Sequence, residues 1–401
     1  MSTFRLLAPR PPDIRRGDAR RLRWIARDSP LRHLDWMLLG GVLSLGLIGT
    51  LLVWSATQPA LQRAGADPLG YLKKQLLNLG IGLVLMLTVT TLGHRWLRAC
   101  ALAACAVSGA GLLVVLTPLG STVNGARSWI ALPGGFQLEP SEYAKIAVIG
   151  VTALILGHPR HSSSEDGPPL RAVALAAACS AVPLILVAAQ PDLGVAVLLV
   201  TLLAGLTVLS GIRLRWIAGL VLAAAGSAVA VLQLHLLKTY QLGRLTSFLN
   251  PSADPRGTGY SAAQSKIAIG SGGLLGHGLM HGPLTAGNFV PEQHTDFIFS
   301  VAGEELGFAG SAAIILLLAL VILRALRIAA RAPDQVGMLV AAGIAIWFAI
   351  QSFVNIGMTI GIMPVTGLPL PFVSYGGSAM FADMIAVGML QAVHWRPAVF
   401  G

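Results

Sequence analysis

The chain has 401 residues, of which 55% are hydrophobic and only 11% charged, with a formal net charge of +11. Repeated apolar stretches of helix-spanning length exclude a soluble enzyme and mark an integral membrane protein. The runs are continuous and do not alternate, which argues against a closed β-barrel and for an all-α polytopic fold.

The first segment, 1–35, is basic, with nine Arg before Asp35. In a soluble chain such a charge would suggest nucleic acid. Directly ahead of a membrane span it suggests anchoring to anionic inner-leaflet lipid, and nucleic acid is not expected as a partner. The Pro9-Arg-Pro-Pro12 stretch reads as disordered. No apolar core followed by a small-residue cleavage site is present, so the first span is expected to act as the insertion signal.

Ten transmembrane helices fit the hydropathy, at roughly 36–56, 74–92, 97–117, 142–157, 170–189, 193–210, 215–236, 296–323, 338–360 and 376–394. They define a transmembrane domain over 36–395, with a large extracytoplasmic loop, 237–295, between helices 7 and 8 and a short cytoplasmic C-terminus, 396–401. With both ends on one side, the inner segments hold 19 of the 28 Lys and Arg. The positive-inside rule then places both termini in the cytoplasm, although Arg244 and Arg256 in the outer loop run against it. Cys100, Cys105 and Cys179 all fall inside spans and have no metal-site spacing, so they read as core residues.

Two outer connections are long. Thr117–Ser141 contains Pro, Gly and a charged constellation. Leu237–Thr295 is too long to be structureless, and a short interfacial helix is expected near 260–269. The Gly270-Ser-Gly-Gly273 run lacks the strand-to-helix context and the Lys-Ser or Lys-Thr pair of a nucleotide cradle. Pro364 and Gly367-Leu-Pro-Leu-Pro371 precede the last helix and Gly376-Gly377 opens it. Such backbone must lie at the interface or line an enclosed, hydrated space.

Asp296 opens a hydrophobic segment that soon carries Glu304 and Glu305. Carboxylates at the edge of a spanning helix are costly to keep, which makes Asp296 the first candidate for chemistry. Arg127 follows Asn124-Gly-Ala. Glu142 and Lys145 lie three apart on one helix face, either as a structural ion pair or as substrate contacts. Asp192 stands where it would cap the following helix.

The ordered motifs carry more than their chemistry. Asn124-Gly-Ala-Arg-Ser-Trp129, Glu139-Pro-Ser-Glu-Tyr-Ala-Lys145, Gln190-Pro-Asp-Leu-Gly194, Gln264-Ser-Lys-Ile-Ala-Ile-Gly-Ser-Gly272, Pro291-Glu-Gln-His-Thr-Asp-Phe-Ile-Phe299 with Glu304-Glu-Leu-Gly307, and Pro369-Leu-Pro-Phe-Val-Ser-Tyr-Gly-Gly-Ser378 together resemble the bacterial shape, elongation, division and sporulation (SEDS) family over about 34–395. Phe248-Leu-Asn-Pro-Ser-Ala-Asp-Pro-Arg-Gly-Thr-Gly-Tyr260 followed by Gln264-Ser-Lys resembles its elongation branch more than its division branch. The chain departs from the family pattern at Leu138-Glu139, at Gly194-Val-Ala and at Asp383.

The resemblance implies an inverting peptidoglycan glycosyltransferase that polymerises lipid II on the outer face of the bacterial plasma membrane. Asp296 takes the place of the family's key loop aspartate and is the expected general base, with His294 as helper. Arg127 and Lys145 are expected at the lipid pyrophosphate, with Glu142 placing them or sharing a divalent cation; Asp192 and Lys266 complete the supporting set. No metal shell is identified, and no other cofactor is expected. The implied partners are lipid II with its growing glycan, a class B penicillin-binding protein and other elongation-complex membrane proteins. The chain lacks the serine motifs of a transpeptidase. A lipid II flippase, using the same charges as a polar translocation path, is the alternative.

Overall fold

In a computed structural model of the protein the described residues are 34–93, 97–123, 126–132, 136–158, 167–213, isolated positions between 216 and 248, and 257–395. Six helices come first: α1 (Trp36–Arg63), α2 (Gly70–Leu92), α3 (Leu97–Leu116), α4 (Pro140–Leu156), α5 (Leu170–Ala189) and α6 (Leu193–Leu209). Three shorter ones, α7 (Thr258–Ser271), α8 (Pro283–Gly287) and α9 (Ile298–Glu305), precede α10 (Gly307–Arg331), α11 (Gln335–Ile360) and α12 (Gly377–His394). Helices α1, α2, α5, α10 and α11 are long and apolar enough to cross a membrane, and Ala101–Leu116 and Leu193–Leu209 are shorter apolar helices. The bundle is that of a multi-pass membrane protein.

Predicted spans one to six, nine and ten coincide with α1 to α6, α11 and α12. The short helix expected near 260–269 is present as α7. The seventh span, 215–236, lies largely outside the described residues, as do the basic tail 1–33, most of 237–256 and the C-terminus 396–401. The eighth needs correction: 296–323 is not one helix. Gly307 adopts φ +66, and a Cβ there would stand 2.3 Å from the Gly276 nitrogen. Beyond it the amides of Phe308 and Ala309 donate to the carbonyls of Gly273 (2.9 Å) and Leu274 (3.0 Å). The 273–276 turn thus takes donors that a continuous helix would have used internally. Asp296 consequently sits in a turn ahead of the short α9, and the spanning helix begins eleven residues later, at Gly307.

The Thr117–Ser141 connection is also more ordered than a helical reading suggests. It folds as an antiparallel sheet of β1 (Gly120–Val123), β2 (Ala126–Leu132) and β3 (Phe136–Leu138), with Ser121 opposite Trp129 and Ala131 opposite Gln137. Its last strand is tied to the bundle where the Ser378 hydroxyl donates to Gln137 O (3.2 Å) and accepts from Glu139 N (2.9 Å). The sheet thereby lids the end of the bundle at which α4 and α12 begin.

Close backbone approach holds that end together. A Cβ at Gly49 would lie 2.4 Å from the Val373 carbonyl oxygen, so α1 passes directly against the chain leading into α12. Small residues permit such contacts in membranes, where packing replaces the hydrophobic effect between helices.

The opposite end is closed by Asp35. Its carboxylate caps α1 through Leu38 N (3.0 Å) and pairs with Arg324 on α10, Nη2 at 2.5 Å and Nε at 2.9 Å. Its backbone exchanges hydrogen bonds with the Gln391 side chain of α12 (2.9 and 3.2 Å). One residue thus joins three helices. Asp35→Ala removes the cap and leaves Arg324 unpaired, so it is expected to destabilise the protein by about 2–4 kcal/mol. Thermal unfolding in detergent measures this, and a midpoint equal to the parent's would show that the clamp contributes nothing.

Candidate active site

The acidic stretch 291–297 has little regular structure, so its backbone groups must be satisfied from outside. Three consecutive carbonyls are. His294 O accepts from Tyr375 N (3.0 Å), Thr295 O from the Ser374 hydroxyl (2.6 Å) and Asp296 O from Asn355 Nδ2 (2.8 Å). Asn355, fully buried on α11, donates also to Leu368 O at 2.7 Å, so one amide joins two loops. On the other side Gln293 Nε2 reaches Ala56 O (2.8 Å) and Thr285 O (3.0 Å).

The facing segment, 366–376, is held in the same way. Phe372 lies at φ +63 with its N–H on Asp383 Oδ2 (3.1 Å), Leu370 N donates to the Ser374 hydroxyl (2.8 Å), and Gln75 Nε2 on α2 donates to Ser374 O (3.3 Å). Gly367 at φ +82 stands beside Asp296; a Cβ there would be 3.5 Å from Oδ2. Positive φ favours glycine at this position, and the missing side chain leaves Asp296 uncovered.

Between these segments and the sheet lies a cavity of about 310 Å³. Asp296, Glu292, Asp192 and Glu139 line it together with the cations Lys74 and Arg244. Tyr71, His294 and Tyr375 form one wall; Ser128, Trp129 and Gln137 of the sheet form another. Burial, with Glu292 and Asp192 nearby, pushes the Asp296 carboxyl up to about 7, and Arg244 opposes that rise. Burial also raises Asp192, against the hydrogen bond from Val195 N, and lowers His294, which is therefore neutral at pH 7. A half-buried carboxylate that titrates near neutrality is suited to general acid–base work.

The remaining sequence candidates lie elsewhere. Lys145 is fully buried beneath the cavity, with Nζ 2.6 Å from Glu142 Oε2, 3.0 Å from Gln351 Oε1 and 4.7 Å over the Trp347 ring. Arg127 Nε is bonded to Gly120 O (3.0 Å) within the sheet, and Lys266 is exposed on α7 beside Gly361. None of these four lines the cavity. Arg127 is held by a strand carbonyl and Lys145 has three partners inside the bundle, so neither stands among the residues that line the cavity.

Glu142 is likewise paired with Lys145. Among the described residues no group of three or more His, Cys, Asp or Glu is arranged to hold a metal. Glu304 and Glu305 serve the loop. Glu304 accepts from Leu284 N (2.7 Å), Thr285 N (2.9 Å) and Thr285 Oγ1 (2.5 Å), and Glu305 accepts from Ser55 (2.5 Å). Asp192 caps α6 as expected, through Val195 N at 3.1 Å.

Sequence reasoning missed Lys74, Arg244, Glu292, Tyr71 and Tyr375, together with the Gln351 and Asn355 supports. A signal existed for some. Lys73-Lys74-Gln75 opens a span, Gln351 and Asn355 are polar residues four apart in an apolar helix, and both Glu292 and Tyr375 fall inside quoted motifs. For Arg244 the only mark was a cation on the unexpected side of the charge pattern.

Comparison with known proteins places this architecture. The family model of FtsW, RodA and SpoVE, described as a cell cycle protein, matches residues 35–397. The peptidoglycan glycosyltransferase MrdB of Escherichia coli K12 is 38% identical over 367 residues, covering 90% of this chain and 94% of that one. A chain from a peptidoglycan synthase complex that coordinates polymerization and crosslinking superposes with a TM-score of 0.72 at 30% identity, covering 90% of this chain and 97% of its own. The rod shape determining protein RodA of Thermus thermophilus gives a TM-score of 0.60 at 28% identity, with 90% and 96% covered. A match over nearly the whole transmembrane domain, from relatives in both sequence and fold, means that the chain belongs to the FtsW/RodA/SpoVE family.

Proposed function

We propose that the protein is a peptidoglycan glycosyltransferase that polymerises lipid II into linear β-1,4 glycan strands during cell elongation, with Asp296 as general base. The observation that carries this is Asp296 itself: an uncovered carboxylate with a value of about 7, in a cavity with two cations, on a loop whose carbonyls are fixed at three consecutive residues. The names of the relatives agree with it.

In this reading the 4-hydroxyl of an N-acetylglucosamine loses its proton to Asp296 while its oxygen attacks the anomeric carbon of a second lipid-linked sugar. The bond from that carbon to the pyrophosphate breaks. An α-linked leaving group and a β-linked product require inversion, so no covalent sugar intermediate is needed. Lys74 and Arg244 take the charge that develops on the departing pyrophosphate, as fixed cations in a partly desolvated site. Glu142 and Lys145 act from below: Gln351, which receives Lys145 on Oε1, donates to Pro369 O (2.8 Å) and so steadies the loop facing Asp296.

The cavity end is placed on the periplasmic side and the Asp35 end in the cytoplasm, with both termini, by the Arg distribution of the sequence. The division of labour follows from the missing serine motifs: this chain makes uncrosslinked glycan and a class B penicillin-binding protein crosslinks it. The structural relative from a synthase complex supports such a pairing. The flippase alternative uses the same cavity for passage. Purified protein in liposomes decides between them: polymer formed from lipid II supplied outside supports the enzyme, and movement across the bilayer without polymer would replace it by the transporter.

Asp296→Asn retains the size and removes the base, so polymerisation is expected to fall by about two to four orders of magnitude with the protein folded and membrane-inserted. Near-normal turnover by this variant would reject Asp296 as the base.

The pH profile gives an independent check. Asp296 must be ionised to accept a proton, so activity should decline as pH falls through about 7, the value to which burial has raised it. Glu292 contributes to that rise by its negative charge. Glu292→Gln therefore should move the acid limb of kcat/KM to lower pH, and a limb that stays in place or moves upward would disconnect Glu292 from the titration.

A further inference from the structure

Tyr71, His294 and Tyr375 come from three separate parts of the chain: the first turn of α2, the acidic stretch before α9 and the segment before α12. The Tyr71 ring meets the other two edge to face. Tyr71 lies 5.1 Å from His294 at 79° and 4.8 Å from Tyr375 at 62°, and the last two are 5.8 Å apart. All three are half-buried and line the cavity. The Tyr375 N–H on His294 O locks two of them in register.

Aromatic residues that cluster only for packing normally spend their polar tips on nearby partners. Here neither tyrosine hydroxyl nor the imidazole has a hydrogen-bond partner among the described residues. The wall thus offers apolar ring surface together with three unspent polar groups. It is uncharged, because burial leaves His294 neutral.

We infer that Tyr71, His294 and Tyr375 form a pyranose-binding subsite that receives a sugar ring of the substrate. A pyranose matches this wall, since its C–H faces are apolar and its rim carries hydroxyl and amide groups. A bare phosphate would use the polar tips but leave the ring faces uncovered, and a hydrocarbon chain would bury the polar tips unpaired. The location of charge agrees. Lys74 stands three residues after Tyr71 on the same helix, hence on the same face about 5–6 Å away. A sugar against Tyr71 would bring a phosphate on its anomeric carbon toward that cation. Asp296, two residues after His294, lies within the same cavity.

The inference deepens the glycosyltransferase reading and rests on it. Its test uses the full-length protein carrying Asp296→Asn, so that substrate binds without turnover, and two ligands: lipid II, and the same polyprenyl pyrophosphate without sugars. Adding Tyr71→Leu should weaken lipid II binding about five- to twentyfold and leave the sugar-free ligand unchanged, while Tyr71→Phe should lose less. In the Asp296-intact protein, Tyr71→Leu should raise KM more than it lowers kcat. Equal losses for both ligands would make the cluster a packing element and overturn the subsite, as would unchanged lipid II binding by Tyr71→Leu and by Tyr375→Leu. A parent protein that binds neither ligand would instead sink the glycosyltransferase reading, which separates the two failures.

Discussion

Irregular backbone at the edge of a membrane survives only if every amide and carbonyl finds a partner, and Asn355 meets that demand at the decisive place. Its single side-chain amide spans Asp296 O and Leu368 O from a fully buried position on α11. Without it two loops that approach from opposite sides would each carry a buried unpaired carbonyl, at a cost of about 1–3 kcal/mol apiece. The neighbouring bonds from Ser374 and Tyr375 extend the same principle along the loop. A carboxylate can be aimed into a cavity by a loop only when that loop has been made as rigid as a helix. Here the rigidity comes from the Asn355 side chain of α11 and from Ser374 and Tyr375 of the facing segment.

Glu142 and Lys145 take their meaning from this constraint. A fully buried ion pair contributes little net stability compared with apolar packing, because desolvation consumes most of the Coulomb energy. It does enforce a unique arrangement. Lys145 turns Gln351 so that its amide faces Pro369, and Trp347 Nε1 secures the same Oε1 at 2.7 Å. The pair therefore acts at a distance on the wall opposite Asp296. Charge removal there would alter loop geometry as well as charge, which makes such variants poor reporters of direct substrate contact.

Much of the bundle was legible in the sequence because apolar length is a strong, local signal: the limits of α5, α6 and α12 fall within two residues of those read from hydropathy. The break at Gly307 was not, since it depends on the carbonyls of Gly273 and Leu274 in a turn more than thirty residues earlier. The sheet escaped notice because Arg127-Ser-Trp-Ile130 is too short to display alternation, and its pairing is non-local. Asp296 was legible as a carboxylate out of place in apolar surroundings. Lys145 was legible as a charge but not in its role, because spacing reveals a shared helix face and says nothing about whether that face meets a cavity or another helix. Arg244 and Lys74 sit at span edges, where cations are ordinary, so only the fold could single them out.

The proposed function requires an acid-lined pocket to receive an anion. Asp296, Glu292, Asp192 and Glu139 outnumber Lys74 and Arg244, and with all four ionised a pyrophosphate would be repelled. Burial removes part of that obstacle: it pushes Asp296 up to about 7, holds Glu139 well above the ordinary glutamate value and raises Asp192, so part of the Asp296 carboxyl is neutral near pH 7. The same effect makes Asp296 a stronger base once it is ionised. Arg244 is placed to mediate between the two needs, since its charge favours the ionised form of both Asp296 and Asp192. An arriving pyrophosphate that draws on Arg244 would weaken its hold on these carboxylates and raise their affinity for protons. Under the proposed function, anion binding and proton acceptance would be coupled through one guanidinium, in the direction that strengthens Asp296 as a base when the leaving group is in place.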